Sequence, residues 1–238
     1  MSLYRDRGVV LRTMRLGEAD RIVTLVTEAH GKVRAVAKGV RRTTSKFGGR
    51  LEPLSHVAML CWQGRELDIV SQAEVLHAHR AVREDLSKMT TAYTLLEAVD
   101  QLAQEHHANP RLYHMLVGAL GVLQQRDTPV LAPAFLLKLL AAEGSAPLLD
   151  ACASCGAAED LVAFDLGEGG VLCRACRRGR AVSGAALELL RRILGGGLAD
   201  ALDEPPGPVV DEVRELATEA MELHLDRRLR SVRAAPTA

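Results

Sequence analysis

Aromatic rings are scarce in this 238-residue chain, which holds three Phe, three Tyr and one Trp. A binder that grips nucleobases mainly by stacking presents several rings on one sheet, and so few make that mode a minor one. Only Phe47, Trp62 and Tyr4 are placed to contribute, with Trp62 equally suited to a core. No stretch approaches the roughly 18 uncharged apolar residues of a membrane span. The first residues, Met1 to Tyr4, do not start a basic-then-apolar leader. The expectation is a soluble, cytoplasmic protein. Catalytic signatures are missing too: there is no glycine-rich loop ending in Lys-Ser or Lys-Thr, no HExxH, no GxSxG and no acid pair at two-metal spacing. The chain reads as a non-enzyme.

Net charge is also absent, since 30 Lys and Arg meet 30 Asp and Glu. The balance is global only. Residues 1 to 50 carry 12 cations against 4 acids, whereas residues 81 to 150 carry 5 against 8. A localised positive field attracts polyanions, and it also serves solubility or the docking of an acidic protein. At 48 % hydrophobic and 25 % charged residues, the composition is globular, and the length suits one large domain or two ordinary ones.

Apolar residues alternate with polar ones in short, glycine-broken runs through the first third, the pattern of half-buried antiparallel strands. Residues 8–14, 21–27, 32–38, 56–62 and 66–75 give five of them. Five short strands in under 80 residues predict a closed barrel, which removes exposed edges. An OB-fold is the first choice and an SH3-like barrel the second. In the third strand Lys32, Arg34, Val36 and Lys38 share one side, and Val33, Ala35 and Ala37 the other. That basic side runs into KGVRRTTSKFGGR, residues 38–50, where no acid interrupts five cations. Lys32, Arg34, Lys38, Arg41, Arg42, Lys46 and Arg50 are thus candidates for one cationic track along a DNA backbone. Thr43, Thr44 and Ser45 add hydroxyls of the kind that reach phosphate oxygens. Such contacts are indifferent to base sequence and steeply weakened by salt.

Beyond residue 80 the period becomes helical. Helices are expected at 86–105, 111–125, 133–142, 184–194 and 209–232, the last ending in Arg227, Arg228, Arg230 and Arg233. His106, His107 and His114 lack partners at metal-site spacing and read as surface residues. Between the helices, Cys152 and Cys155 are followed after 17 residues by Cys173 and Cys176. Two CxxC knuckles at this spacing suit a tetrahedral zinc ion held by four thiolates, with a short hairpin bringing them together. Four protein ligands leave no open position, so the metal is structural. Arg174, Arg177, Arg178 and Arg180 beside the last knuckle either offset thiolate charge or touch a partner. Cys61 reads as a buried strand residue.

The opening, YRDRGVVLRTMRLGEADRIVTLVTEAHGKVRAVAKGVRRTTSKFGGRLEPL, resembles that of the bacterial DNA repair protein family RecO. The match runs through the turn with Gly17, Glu18 and Asp20, the Thr27 to Gly31 turn and the Lys38-Gly39 start of the basic loop. The order barrel, helices, inserted CxxC pairs, helix matches as well. This resemblance implies a multidomain α+β protein. Residues 1–80 would be a five-stranded OB-fold that binds nucleic acid, and residues 81–238 an all-helical domain with a zinc ribbon-like finger inserted at 150–180. It further implies a cytoplasmic, nucleoid-associated recombination mediator of the RecF pathway, which binds single- and double-stranded DNA and anneals complementary strands. Its implied partners are a RecR-like protein, the acidic tail of single-strand binding protein and, indirectly, the RecA recombinase, with no membrane involved. The alternative is a protein-interaction module whose basic barrel docks an acidic tail.

Overall fold

The computed structural model describes residues 2–233, with the side chain of Arg233 outside that description. The chain forms two compact units, Met1–Arg126 and Asp127–Ala238.

In the first unit, β1 (Leu3–Leu16), β2 (Asp20–Thr27), β3 (Gly31–Ala37), β4 (His56–Trp62) and β5 (Asp68–His77) close a barrel in the order β1-β2-β3-β5-β4. All neighbours are antiparallel except β3 and β5, which meet in parallel at Ala35–Asp68 and Val36–Ile69. This is the OB-fold-like Greek-key barrel rather than the SH3-like one. Strand β1 begins five residues before its expected start because it pairs twice: Leu3–Val9 with β4 and Gly8–Leu16 with β2, with a bulge between Val10 and Arg12. Such a bulge bends one long strand around a barrel corner. The interior is filled by Val10, Val23, Leu25, Val33, Ala35, Ala37, Val57, Met59, Cys61 and Val70. Alternation along β3 follows the expected parity, and Cys61 is fully buried.

Helices α1 (Arg80–Arg83), α2 (Leu86–Leu102) and α3 (Pro110–Gln125) complete the unit. Asp85 caps α2 by accepting from the Lys88 amide at 3.1 Å, and Asn109 caps α3 by accepting from Leu112 at 3.0 Å, with Pro110 opening that helix. The expected helix 86–105 stops at Leu102 because the barrel takes its last turn: the Lys32 amide donates to the Gln104 carbonyl (3.0 Å) and the His106 amide to the Lys32 carbonyl (3.1 Å). Gly31 permits this approach. Its φ is +68°, and a Cβ there would stand 2.0 Å from the His107 carbonyl oxygen.

The second unit contains α4 (Leu131–Ala142), a three-stranded sheet of β6 (Leu161–Asp165), β7 (Gly170–Cys173) and β8 (Arg180–Ala181), then α5 (Gly184–Leu194), α6 (Leu198–Ala201), α7 (Pro208–His224) and α8 (Arg230–Arg233). Helix α4 is apolar nearly all round and accordingly buried, whereas α5 and α7 lay only one stripe on their neighbours. The single helix expected at 209–232 is two. Asp226 turns the chain at φ 48°, and the Glu222 carboxylate accepts from the Leu229 amide at 2.8 Å, satisfying a donor that a continuous helix would pair internally. Among the described residues no helix is long and apolar enough to cross a membrane.

Candidate nucleic-acid interface and candidate metal centre

The segment from Lys38 to Ser55 has no regular structure, yet it is firmly seated. Val40, Phe47 and Leu51 join the barrel core, and Leu54 is 1 % exposed. Main-chain bonds tighten it further: the Gly39 amide donates to Asp20 Oδ1 (2.7 Å), Arg41 to the Ala19 carbonyl (3.0 Å) and Ser45 to the Arg42 carbonyl (3.0 Å). With its apolar residues pulled inward, the loop turns its cations outward. Lys38, Arg41, Arg42, Lys46 and Arg50 are all exposed.

What holds these cations decides their electrostatics. Arg41 donates to the Glu18 carbonyl at 2.8 Å, Lys46 to the Ser71 carbonyl at 2.7 Å, and Arg50 to the carbonyl of Lys46. Lys46 Nζ also stands 5.1 Å from the centre of the Phe47 ring. Carbonyls orient a cation without cancelling it. Among the described residues none of the five loop cations has a carboxylate partner. The strand cations differ. Lys32 donates to the Asp100 carbonyl (2.6 Å) and lies 3.6 Å from Asp100 Oδ1, and Arg34 is 3.6 Å from Glu105. The seven residues therefore divide into five uncompensated loop charges and two strand charges answered by acids of the helical segment. Asp100 and Glu105 carry no sign in the sequence that they turn toward β3, since their approach is a tertiary event.

Of the three rings, Phe47 and Tyr4 depart from the sequence expectation, and Trp62 takes the exposed one of its two expected positions. Phe47 is 1 % exposed and belongs to the core. Tyr4 is partly buried and its hydroxyl is bound to Asp68, so burial and that carboxylate push its pKa far up and keep the phenol protonated. Trp62 is 42 % exposed, outside the barrel. Parity along β4 already implied this, for Val57, Met59 and Cys61 point inward.

A second polar feature escaped sequence reading. His56, 7 % exposed, shares a 2.7 Å hydrogen bond between its Nε2 and the Tyr113 hydroxyl, and His79 shares one of 2.8 Å with the Leu54 carbonyl. Burial, helped by the neighbouring His77, lowers the His56 pKa to about 4, and burial also lowers that of His79. Both rings are neutral near pH 7. His106 and His107 are exposed, and His114 lies 3.2 Å from Glu28.

In the second unit Cys152, Cys155, Cys173 and Cys176 converge, with all four Sγ atoms within 4.8 Å of one another. Cys155 and Cys173 are 3.7 Å apart. A tetrahedron of thiolates about 2.3 Å from a zinc-sized ion has edges of about 3.8 Å, so the donor set fits such a metal. The expected hairpin is β6 and β7, and β8 adds a third strand that two residues are too few to announce. The Ala153 amide ties the first knuckle to the Val171 carbonyl (2.8 Å), and the Gly156 amide closes on the Cys152 carbonyl (2.8 Å). Amides of Cys173, Cys155 and Ser154 directed at Cys152 hold its thiol pKa down, at about 6. Beyond the sulfurs the finger's own apolar cluster is small: Ala163 and Leu172, with Ala153 and Leu161 beside them. Of the nearby arginines, Arg178 pairs with Glu168 and Arg180 with Glu215 and Glu219, while Arg174 and Arg177 are exposed.

Two family models match in succession: the N-terminal model of recombination protein O over residues 1–79 and its C-terminal model over residues 83–233. The chain belongs to the RecO family. It is 42 % identical to the DNA repair protein RecO of Bifidobacterium longum over 239 aligned positions, and 44 % identical to that of Streptomyces coelicolor over 248. Each alignment covers 98 % of both sequences. RecO proteins are non-enzymatic mediators of DNA repair, and the chain takes that general role with its membership.

Proposed function

We propose that this RecO-family chain binds single- and double-stranded DNA and anneals complementary strands in the cytoplasm, at the nucleoid, as a recombination mediator. The carrying observation is the Lys38–Arg50 loop, whose five cations project from a core-anchored frame; Arg41, Lys46 and Arg50 meet backbone carbonyls, and among the described residues none of the five meets a carboxylate. Annealing requires no covalent step. Its obstacle is repulsion between two polyanions, and a surface that neutralises phosphates lowers it while base pairing selects the partner strand. Lys38, Arg41, Arg42, Lys46 and Arg50 supply the main neutralisation. Lys32 and Arg34, held by Asp100 and Glu105, add less and orient the edge of the track.

The division of labour follows the sequence: a DNA-binding barrel in residues 1–80, and a helical region in 81–238 that receives the acidic tail of single-strand binding protein, so that, with a RecR-like partner, RecA is loaded on coated strands. The ion at Cys152, Cys155, Cys173 and Cys176 is zinc, one per chain, and structural. When bound it clamps the two knuckles and supplies no chemistry. Cys152, whose thiolate its amide contacts favour, is one of the four ligands, and the small finger core is the reason the fold at 150–180 needs the clamp.

The test is the annealing rate of complementary strands of arbitrary sequence at rising salt. Acceleration at low salt, independent of sequence and lost on replacing Arg41, Arg42 and Lys46 by Ala, is the expected result. No acceleration by the wild-type chain, with tight binding to an acidic peptide, would instead support a protein-docking role for the barrel.

A further inference from the structure

Outside the barrel, one row of paired residues runs across four strands. Leu3 of β1 lies opposite Trp62 of β4, Trp62 opposite Ile69 of β5, and Ile69 opposite Val36 of β3. Residues directly opposite one another point to the same face, and their inward neighbours Cys61, Val70, Ala35 and Ala37 fix that face as the outer one. Leu3 is 47 % exposed and Trp62 42 %, with Ile69 and Val36 partly exposed. This makes a contiguous apolar strip on a closed barrel, centred on the chain's one tryptophan and open to solvent at Leu3 and Trp62.

The next row holds two cations, Arg5 and Lys38, with Leu60, Ser71 and Gln72. Two residues along the strands lie Arg5 on β1, paired with Leu60 of β4, which in turn pairs with Gln72 of β5. Beyond Ile69 stands Ser71, whose carbonyl receives Lys46 Nζ, and beyond Val36 stands Lys38. Arg5, Leu60 and Gln72 also line a groove of about 600 Å³, whose other lining residues include Arg7 and the acids Asp6, Glu28 and Glu74, so the positive edge is carried by Arg5, Lys38 and Lys46 rather than by the groove. Residues i and i+2 of a strand are spaced by about 6.6 to 6.8 Å, close to the offset between a nucleotide's phosphate and its base. Positive charge along one edge of an apolar strip selects an occupant that is itself anionic along one edge and flat and apolar along the other.

From this juxtaposition we infer that the Leu3–Trp62–Ile69–Val36 strip is a nucleobase platform for single-stranded DNA, with Trp62 stacking on a base while Arg5, Lys38 and Lys46 hold the adjoining phosphates. The inference rests on the DNA-binding reading above and deepens it, because it assigns base contact to a chain otherwise expected to touch phosphates alone. A duplex keeps its bases paired and offers the strip nothing, so the platform favours single strands and is tolerant of sequence, every base having a π-face.

The single tryptophan makes the test local. The full-length, metal-replete protein is titrated with an oligothymidylate, with an abasic deoxyribose-phosphate oligomer of equal length, and with a duplex. Tryptophan emission and the anisotropy of a dye on each nucleic acid are both recorded. The expected result is quenching by oligothymidylate only, with all three ligands bound. Trp62→Ala should weaken oligothymidylate binding about five-fold or more, leave abasic and duplex binding within about two-fold, and be rescued by Trp62→Phe. Oligothymidylate binding without quenching, and unchanged in Trp62→Ala, overturns the platform while leaving phosphate binding intact. No binding of any of the three overturns the DNA-binding reading itself. A mass corresponding to two chains in solution, reduced to one by Trp62→Ala and without DNA quenching, assigns the strip to self-association and equally overturns the inference.

Discussion

The division of the cations into free and compensated ones yields a quantitative prediction about salt. If each of the five loop cations neutralises one phosphate of a single strand, the slope of log affinity against log salt is about −3.5, at about 0.7 per contact. Raising salt from about 50 to about 200 mM then weakens binding about 130-fold. Replacing Arg41, Arg42 and Lys46 by Ala leaves two contacts, a slope of about −1.4 and a loss of only about 7-fold over the same interval. Replacing Lys32 and Arg34 by Gln should change the slope by less than about 0.7, because an ion pair releases few counterions when DNA arrives. The triple variant should stay folded: its lost bonds end on exposed carbonyls that water can take over, and Val40, Phe47 and Leu51 still seat the loop. The assay is fluorescence anisotropy of a labelled oligonucleotide of arbitrary sequence at four salt concentrations, beside a thermal melt of each protein. An unaltered slope in the triple variant, or an equal flattening in the Lys32 and Arg34 variant, would refute the assignment of charge to the loop.

Metal analysis of freshly purified, reduced protein should find about one zinc per chain, and Cys152→Ser or Cys173→Ser should lose it together with cooperative unfolding of the second unit, followed by circular dichroism. Phe47→Ala should cost about 3 to 5 kcal/mol in urea unfolding because it empties a core site; a cost near zero would return Phe47 to the surface. Acid should unfold the first unit through His56. Its folded pKa, about 4, lies below the ordinary 6.5, so the unfolded chain takes up the proton first and stability falls as pH drops from about 6.5 toward 4, by at most about 3 kcal/mol. His56→Gln should flatten that limb of the stability profile, measured by urea midpoints at each pH.

Features written in local period or spacing were legible in the sequence. The strand at 56–62 and the helix at 184–194 fall where alternation and the helical stripe put them, and the cysteine spacing alone names the four sulfurs that meet. Features that depend on distant partners were not. Nothing around Leu102 announces that Gln104 will bond to a strand seventy residues earlier, and nothing around Glu222 announces that its carboxylate will end a helix. The basic loop falls between. Its charge was plain, but Phe47, an aromatic among cations and glycines, read as a surface ring until the core placed it inside, because an irregular segment has no period from which burial can be inferred.

That inward turn of Phe47 bears directly on how the loop would act. A free thirteen-residue basic segment loses backbone freedom of about 1 to 2 kcal/mol per residue when a ligand orders it, a cost that would erode much of the electrostatic gain. Here Val40, Phe47, Leu51 and Leu54 have already ordered the frame during folding, and the three carbonyl contacts at Arg41, Lys46 and Arg50 have ordered part of the side chains. Glycine at 39 and 48 then supplies the left-handed backbone, φ 66° and 52°, that this frame requires. Loosening the anchor without touching a charge, as in Phe47→Ala, should therefore weaken DNA binding while leaving the salt slope near its wild-type value, because the same phosphates are met at a higher entropic cost. Removing charge without touching the anchor should do the reverse. A Phe47→Ala protein that stays folded and binds with unchanged affinity would show that preorganisation contributes nothing.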